Sequence, residues 1–151
     1  MHDIIFISYG EPNADENYND LFKRFNVKGV FGDRVKRIDG VKGIHQAHIE
    51  AAKKASTRYF YVVDGDAVIT KEFNFDYFVT SQNENIVHVY KSMNPVNNLT
   101  YGYGGVKLLP RKLTKNMNVN SFDMTTSISD NFIVFDKVSN ITAFDTDSFN
   151  T

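Results

Sequence analysis

The stretch that most constrains this chain is Arg58–Asp66, RYFYVVDGD. Tyr59 to Val63 are apolar or aromatic without a break, so neither face of a strand built from them is polar. Strands of that kind are covered on both sides, as in parallel sheets flanked by helices. The run then stops at once on two carboxylates, Asp64 and Asp66, around Gly65. The chain must therefore supply a layer for each face, and the residues upstream do so. Ile44, Ala47, His48, Ala51, Ala52 and Ala55 share one helical stripe, opened by the Gly40–Gly43 turn (GVKG). Lys53 and Lys54 lie off it near the C-terminus, where the helix dipole favours cations. Small residues on that stripe let the helix lie close to a sheet.

Asp3 to Tyr9 holds a second apolar run, Ile4–Ile7, and reads as a buried first strand. Tyr18, Leu21, Phe22 and Phe25 then recur at helical spacing, predicting an amphipathic helix over Glu16–Phe25. Val35–Ile38 is a short strand. Strand, helix, strand, helix, strand predicts an α/β domain with a mainly parallel central sheet flanked by helices. The second half reads as strand and loop without a helix. Its strands are Ile86–Tyr90, Val106–Leu109 and Phe132–Phe135, between loops rich in Asn, Gly and Ser. No internal repeat or linker divides the 151 residues, so one domain, 1–151, is expected.

Composition narrows the function classes. Apolar residues make up 42% and charged residues 23%, which suits a folded globular chain. The net charge of −1 argues against a broad basic surface and so against nucleic acid as a partner. The absence of cysteine excludes disulfides, thiolate metal sites and cysteine nucleophiles. No apolar run approaches the ~18–20 residues of a membrane span. MHDIIFISYG lacks the basic start of a signal peptide, so a cytoplasmic location is expected.

The chemistry centres on VVDGDAVI. Two carboxylates two residues apart, at the carboxyl end of a buried strand, stand where open α/β sheets bind ligands. They suit a hard divalent cation, Mn²⁺ or Mg²⁺, which in turn neutralises a diphosphate. The plain alternative is an acidic turn closing a strand. His45 and His48, at i and i+3 near a helix N-terminus, are placed to face phosphates; the alternatives are a core His48 and a surface His45. No third ligand accompanies them for zinc. Lys42 reads as a solvated lysine beside that turn. Gly104 and Gly105, after Tyr101, Gly102 and Tyr103, allow tight packing ahead of a strand. Either tyrosine could stack on a sugar face, or the segment is a bulged hairpin. Asn98 and Asn140 begin glycosylation sequons, taken as chance in an Asn-rich chain.

GIHQAHIEAAKKASTRYFYVVDGDAVI resembles the core of GT-A-fold glycosyltransferases of the family-2 type. In that family a Gly-Val turn opens a helix that leads to a hydrophobic strand ending in D-x-D. Here Gly43-Ile44 stands for the Gly-Val, and His48 falls where the family usually has arginine. IIFISYGEPN resembles its nucleotide-binding first strand and loop. The chain as a whole resembles short glycosyltransferase-like proteins, several of them from phages. The shared stretches stand here as Ser8–Asn17, Gly40–Ala52, Val62–Ala67 and Tyr101–Pro110.

The resemblance implies a nucleotide-diphosphate sugar donor and an acceptor that the sequence does not identify. It implies donor contacts at Ser8, Tyr9, Glu11, Gly43, His45, His48, Asp64, Gly104 and Gly105, with Asp64 and Asp66 as metal ligands. Inverting enzymes of this kind use a carboxylate to deprotonate the acceptor hydroxyl. Asp130, just before an apolar strand, is the candidate base, and Asp123 the second choice. GT-A catalytic domains run longer than this chain, so a C-terminally incomplete domain is expected. Phe144 and Phe149 near its end would favour a homo-oligomer.

Two rivals remain open on the sequence. A haloacid-dehalogenase-like phosphatase would use Asp64 as nucleophile and Asp66 as acid/base. Against it, that motif normally lies on the first strand, and no later acidic pair is evident. The other rival is a non-catalytic nucleotide-sugar-binding module. An EF-hand is excluded, because Val68 occupies its third ligand position.

Overall fold

The computed structural model describes residues 1–95, 97, 99–101, 104–120 and 123–142. Asn98, Gly102, Tyr103, Phe144 and Phe149 lie outside the described residues, and Tyr101 is described by its backbone alone. The first half comprises β1 (Asp3–Ser8), α1 (Ala14–Phe25), a hairpin of β2 (Lys28–Gly29) and β3 (Gly32–Asp33), β4 (Val35–Asp39), α2 (Ile44–Lys54) and β5 (Tyr59–Asp64). The second comprises β6 (Ala67–Ile69), β7 (Val87–Met93), β8 (Thr100–Tyr101), β9 (Val106–Pro110), α3 (Arg111–Lys115), α4 (Met124–Ile128) and β10 (Phe132–Thr142).

The large sheet has the order β4-β1-β5-β9-β7-β10-β6, with β8 beside the end of β7. β1 pairs in parallel with β4 and β5, and β10 in parallel with β7. β9 is antiparallel to both β5 and β7, and β6 antiparallel to β10. Thus β4, β1, β5, β7 and β10 run one way and β9 and β6 the other, which makes the sheet mainly parallel, as expected.

β5 shows why its sequence has no polar face. Tyr59, Tyr61 and Val63 pack with Ile4, Phe6, Leu108 and the α1 residue Leu21. Phe60 and Val62 pack on the opposite side with Ile5, Leu109 and the α2 residues Ala51 and Ala52. Each such buried side chain contributes roughly 1.5–3 kcal/mol. The alanines bring α2 down onto the sheet. Ile44, in the first turn of α2, leaves the stripe and is 60% exposed.

The second half differs from expectation in two ways. α3 and α4 are helices of five residues each, too short to show periodicity. Pro110 stands at the start of α3, and the Asp123 side chain accepts from the Thr125 N–H at the start of α4. β10 runs on through Asp136 and Lys137 to Thr142, with register shifts after Val134 and after Val138. Asn140, the first residue of a sequon, is fully buried. Among the described residues no helix is long and apolar enough to cross a membrane.

Candidate functional site

The parallel register brings three strand ends together. Ile7 stands opposite Asp64, and Ser8 opposite Asp39. Above these ends lies a cleft of about 560 Å³, lined among others by Ser8, Tyr9, Glu11, Lys42, Gly43, His48, Asp64 and Asp66. The predicted residues of β1, the GVKG turn and the D-G-D motif therefore meet in one place.

Glu11 supplies a third carboxylate. Its Oε1 accepts the Tyr9 N–H at 2.6 Å. A Cβ on Gly65 would lie 2.6 Å from that carboxyl group. Glu11 thus packs directly against Gly65. The carbonyl of Gly65 accepts from Asn17 Nδ2 at 3.0 Å, which ties α1 to the acidic turn. Burial pushes the Asp64 carboxyl above the usual range; the Lys107 ammonium opposes this and the Glu11 carboxylate adds to it.

The Ser8 hydroxyl donates to Asp39 Oδ1 at 2.6 Å and accepts from Arg37 Nε at 3.0 Å. Arg37 also pairs with Asp15 at 2.8 Å and lies over the rings of Phe6 and Tyr18. Ser8 thus holds Asp39, whose side chain is 60% exposed beside the cleft. The sequence reading missed Asp39. The available signal was an Asp-Gly pair closing a strand, the same arrangement as Asp64-Gly65.

Gly43 has φ of 91°, a left-handed value that favours glycine, and starts α2. The first turn of α2 carries no acid, so its free N–H groups face the cleft mouth uncontested. His48 is buried beneath them. Its Nδ1 lies 2.7 Å from the Ile44 carbonyl. A carbonyl only accepts, so Nδ1 carries the proton and Nε2 keeps a lone pair. Nε2 is buried and has no partner. Burial lowers the His48 pKa to about 4 against the pull of Ile44, with Lys107 and His45 adding to the fall. His48 is therefore neutral at pH 7 and offers an acceptor, which suits a hydroxyl or N–H and not a phosphate oxygen. This corrects the expectation that it faces phosphates. His45 is near it but does not line the cleft.

Gly104 and Gly105 do not line the cleft either. Gly104 donates to Tyr90 O at 2.8 Å, and a Cβ there would lie 2.4 Å from the same oxygen. Gly105 N–H points to Ser92 Oγ and Asn140 Oδ1, and its carbonyl accepts from the Asp64 N–H at 2.8 Å. Both are close-packing positions that brace the end of β5. Lys107, two residues on, adds positive charge near Asp64 and His48, and nothing in the VKLL pattern marks it.

Asp130 is not brought to the cleft. Asn131 O accepts from Val87 N at the start of β7, so Asp130 lies at the amino ends of the parallel strands. Asp64 is at the carboxyl end, about 20 Å away along the strand direction. A base for an acceptor bound at the cleft must come from elsewhere. Asp123 caps α4.

Among the described residues, no group of three or more His, Asp or Glu is placed to hold a metal by itself. A pair of carboxylates at a cleft still suits Mg²⁺ or Mn²⁺, which commonly takes one or two carboxylates and completes its shell with phosphate oxygens and water. Asp64 and Asp66 fit that donor set.

No family model matches the chain, and no curated protein matches it by sequence. Solved structures match it in fold. HddC from Yersinia pseudotuberculosis is 14% identical with a TM-score of 0.52, covering 95% of this chain and 90% of HddC. S. aureus TarS 1-349 is 14% identical with a TM-score of 0.54, covering 98% of this chain and 62% of that one. The bifunctional IspDF from Campylobacter jejuni is 12% identical with a TM-score of 0.54, covering 89% of this chain and 50% of that one. The shared architecture is a GT-A-like α/β fold.

Proposed function

We propose that this chain binds a nucleotide-diphosphate sugar in the cleft above β1 and β5 and serves glycosyl transfer. The observation that carries the proposal is the convergence of two carboxylates, a glycine-opened helix N-terminus and a buried neutral histidine on one cavity. Asp64 and Asp66 would hold Mn²⁺ or Mg²⁺ against the diphosphate. That cation would supply charge neutralisation for the leaving nucleoside diphosphate. The N–H groups opening α2 would take phosphate oxygens. His48 Nε2 would accept from a ribose or sugar hydroxyl, and Asp39 and Glu11 stand near enough to the cleft to do the same.

Calorimetric titration with UDP, GDP and their sugars, with and without Mn²⁺, tests this. Metal-dependent binding that Asp66→Ala abolishes is the expected result. Binding that ignores both the metal and Asp66→Ala would remove the metal bridge from the proposal. The transfer step predicts nucleoside diphosphate release that rises when an acceptor is added. Sugar-nucleotide binding without turnover on any acceptor would reduce the chain to a binding module.

A further inference from the structure

A second cavity, of about 400 Å³, shares no residue with the cleft. Its walls are the rings of Phe73, Tyr77, Phe78, Tyr90 and Phe135. Phe73 meets Tyr90 at 4.8 Å and 76°, and Tyr90 meets Phe135 at 5.0 Å and 37°. Tyr77 meets Phe135 at 5.1 Å and 56°. Rings inclined in this way form a cup with several apolar faces. The rim carries Asp76, Asp136 and Lys137. The Lys137 ammonium lies 5.6 Å from the Phe73 ring, and Lys91 pairs with Asp136 at 2.9 Å.

The wall between Phe73 and Phe78 is built in advance. Phe75 holds a φ of 53°, uncommon for a side chain of its size. Its carbonyl accepts from Arg34 at 2.8 Å, and its ring packs on Phe25, Tyr61 and Phe73. The Tyr77 N–H donates to the Tyr61 hydroxyl. Phe78, three residues beyond Phe75, is left 77% exposed at the cup. Backbone held in a sparsely populated conformation is a recurrent mark of ligand sites.

The rim charges decide the ligand class. Two carboxylates disfavour a phosphate, and Lys137 and Lys91 offset them, which disfavours a free cation. Aromatic faces with both acceptors and a donor at the edge suit a neutral molecule with apolar C–H faces and hydroxyl edges. We propose that this aromatic cup is a second binding site and that it takes a neutral sugar ring, alone or as a unit of a longer glycan. The cavity lies in the range of small-ligand sites. The proposal goes beyond the nucleotide-sugar reading of the cleft and stands without it.

Amide chemical-shift titration with methyl glucoside, methyl galactoside, N-acetylglucosamine and maltose tests it, with choline and inorganic phosphate as controls. At least one neutral sugar should move the signals of residues 73–78 and 135–137. Phe78→Ala should weaken that binding about tenfold, and Asp76→Asn should also weaken it. Neither change should alter the response of the cleft to UDP. Phe78 is exposed, so its variant retains the fold, and unchanged melting checks this. Tighter binding of maltose than of the monosaccharides would mark a glycan unit as the occupant, and equal binding a free sugar. The proposal is overturned if no sugar moves those signals, if choline or phosphate does so instead, or if Phe78→Ala binds as the parent does.

Discussion

Gly104 separates two roles for the glycine pair, lining a sugar site or closing the sheet. A Cβ on Gly104 would lie 2.4 Å from Tyr90 O, 2.8 Å from the Lys91 carbonyl carbon and 2.8 Å from Ser92 N. All three are backbone atoms of β7, held in place by pairing with β9 and β10. No side chain can swing aside, so the strands must part by up to about 1 Å to reach ordinary contact. Overpacking of that kind costs about 1–3 kcal/mol. The bond from Gly104 N–H to Tyr90 O would also be stretched, at about 0.5–1.5 kcal/mol. Gly104→Ala should therefore lose about 2–4 kcal/mol, or roughly 4–15 °C in Tm for a chain of this size. Gly105→Ala meets side-chain atoms, Ala67 Cβ and Asn140 Nδ2, both at 2.9 Å, and should lose about 1–3 kcal/mol. Urea unfolding of both variants beside the parent gives the ordering, and UDP titration of the folded variants gives the affinity. A Gly104→Ala protein that melts within 1 °C of the parent refutes the packing argument. One that also loses UDP binding assigns the glycine to the ligand instead.

Three other predictions concern charge. His48 has a folded pKa of about 4 against 6.5 for the free side chain, so the unfolded chain binds the extra proton between those values. Stability should fall by about 3 kcal/mol as pH drops from 6.5 towards 4, and His48→Leu should remove that slope; an unchanged slope would show that the imidazole is not held neutral. Asp64 has a raised folded pKa, so its stabilising protonated form is lost as pH rises through that pKa. Asp64→Asn should raise Tm at pH 7, with little gain at pH 3, and a lower Tm at pH 7 would contradict the burial argument. Burial alone would raise the Asp3 pKa, but bonds from Ser56 N–H, Ser56 Oγ and Lys36 Nζ hold it below the usual range. Asp3→Ala should cost about 2–4 kcal/mol at neutral pH by leaving the largely buried Lys36 ammonium without its charged partner. A loss under 1 kcal/mol in urea unfolding would show Lys36 to be well solvated.

The first half of the fold was legible because its signals are local. The Tyr59–Val63 run states burial on both faces, and the Ala47–Ala55 stripe states which side of the helix meets the sheet. The second half hides its signals. Asp136 and Lys137 interrupt the apolar run of β10, because that part of the strand borders a solvent-facing cavity. α3 and α4 are too short for a period to emerge. The site divides in the same way. Asp64, Asp66, Gly43 and His48 are marked by their place at element ends. Asp39 and Lys107 gain meaning only when pairing sets them beside Ser8 and Asp64. His48 was placed correctly on the buried stripe, but its chemistry depends on the Ile44 carbonyl, which no pattern of residue types reveals.

The antiparallel β9 also carries a consequence for synthesis. β1, β4 and β5, with their two helices, leave the ribosome as a contiguous unit, and each pairing among them is parallel. One edge of β5 then waits for β9, roughly 40 residues later. At ~5–20 residues per second the delay is about 2–8 s. During it, the Asp64 N–H lacks the Gly105 carbonyl, and a strand buried on both faces shows an open edge. Errors in folding should therefore concentrate at the β5–β9 seam as strand pairing between nascent copies.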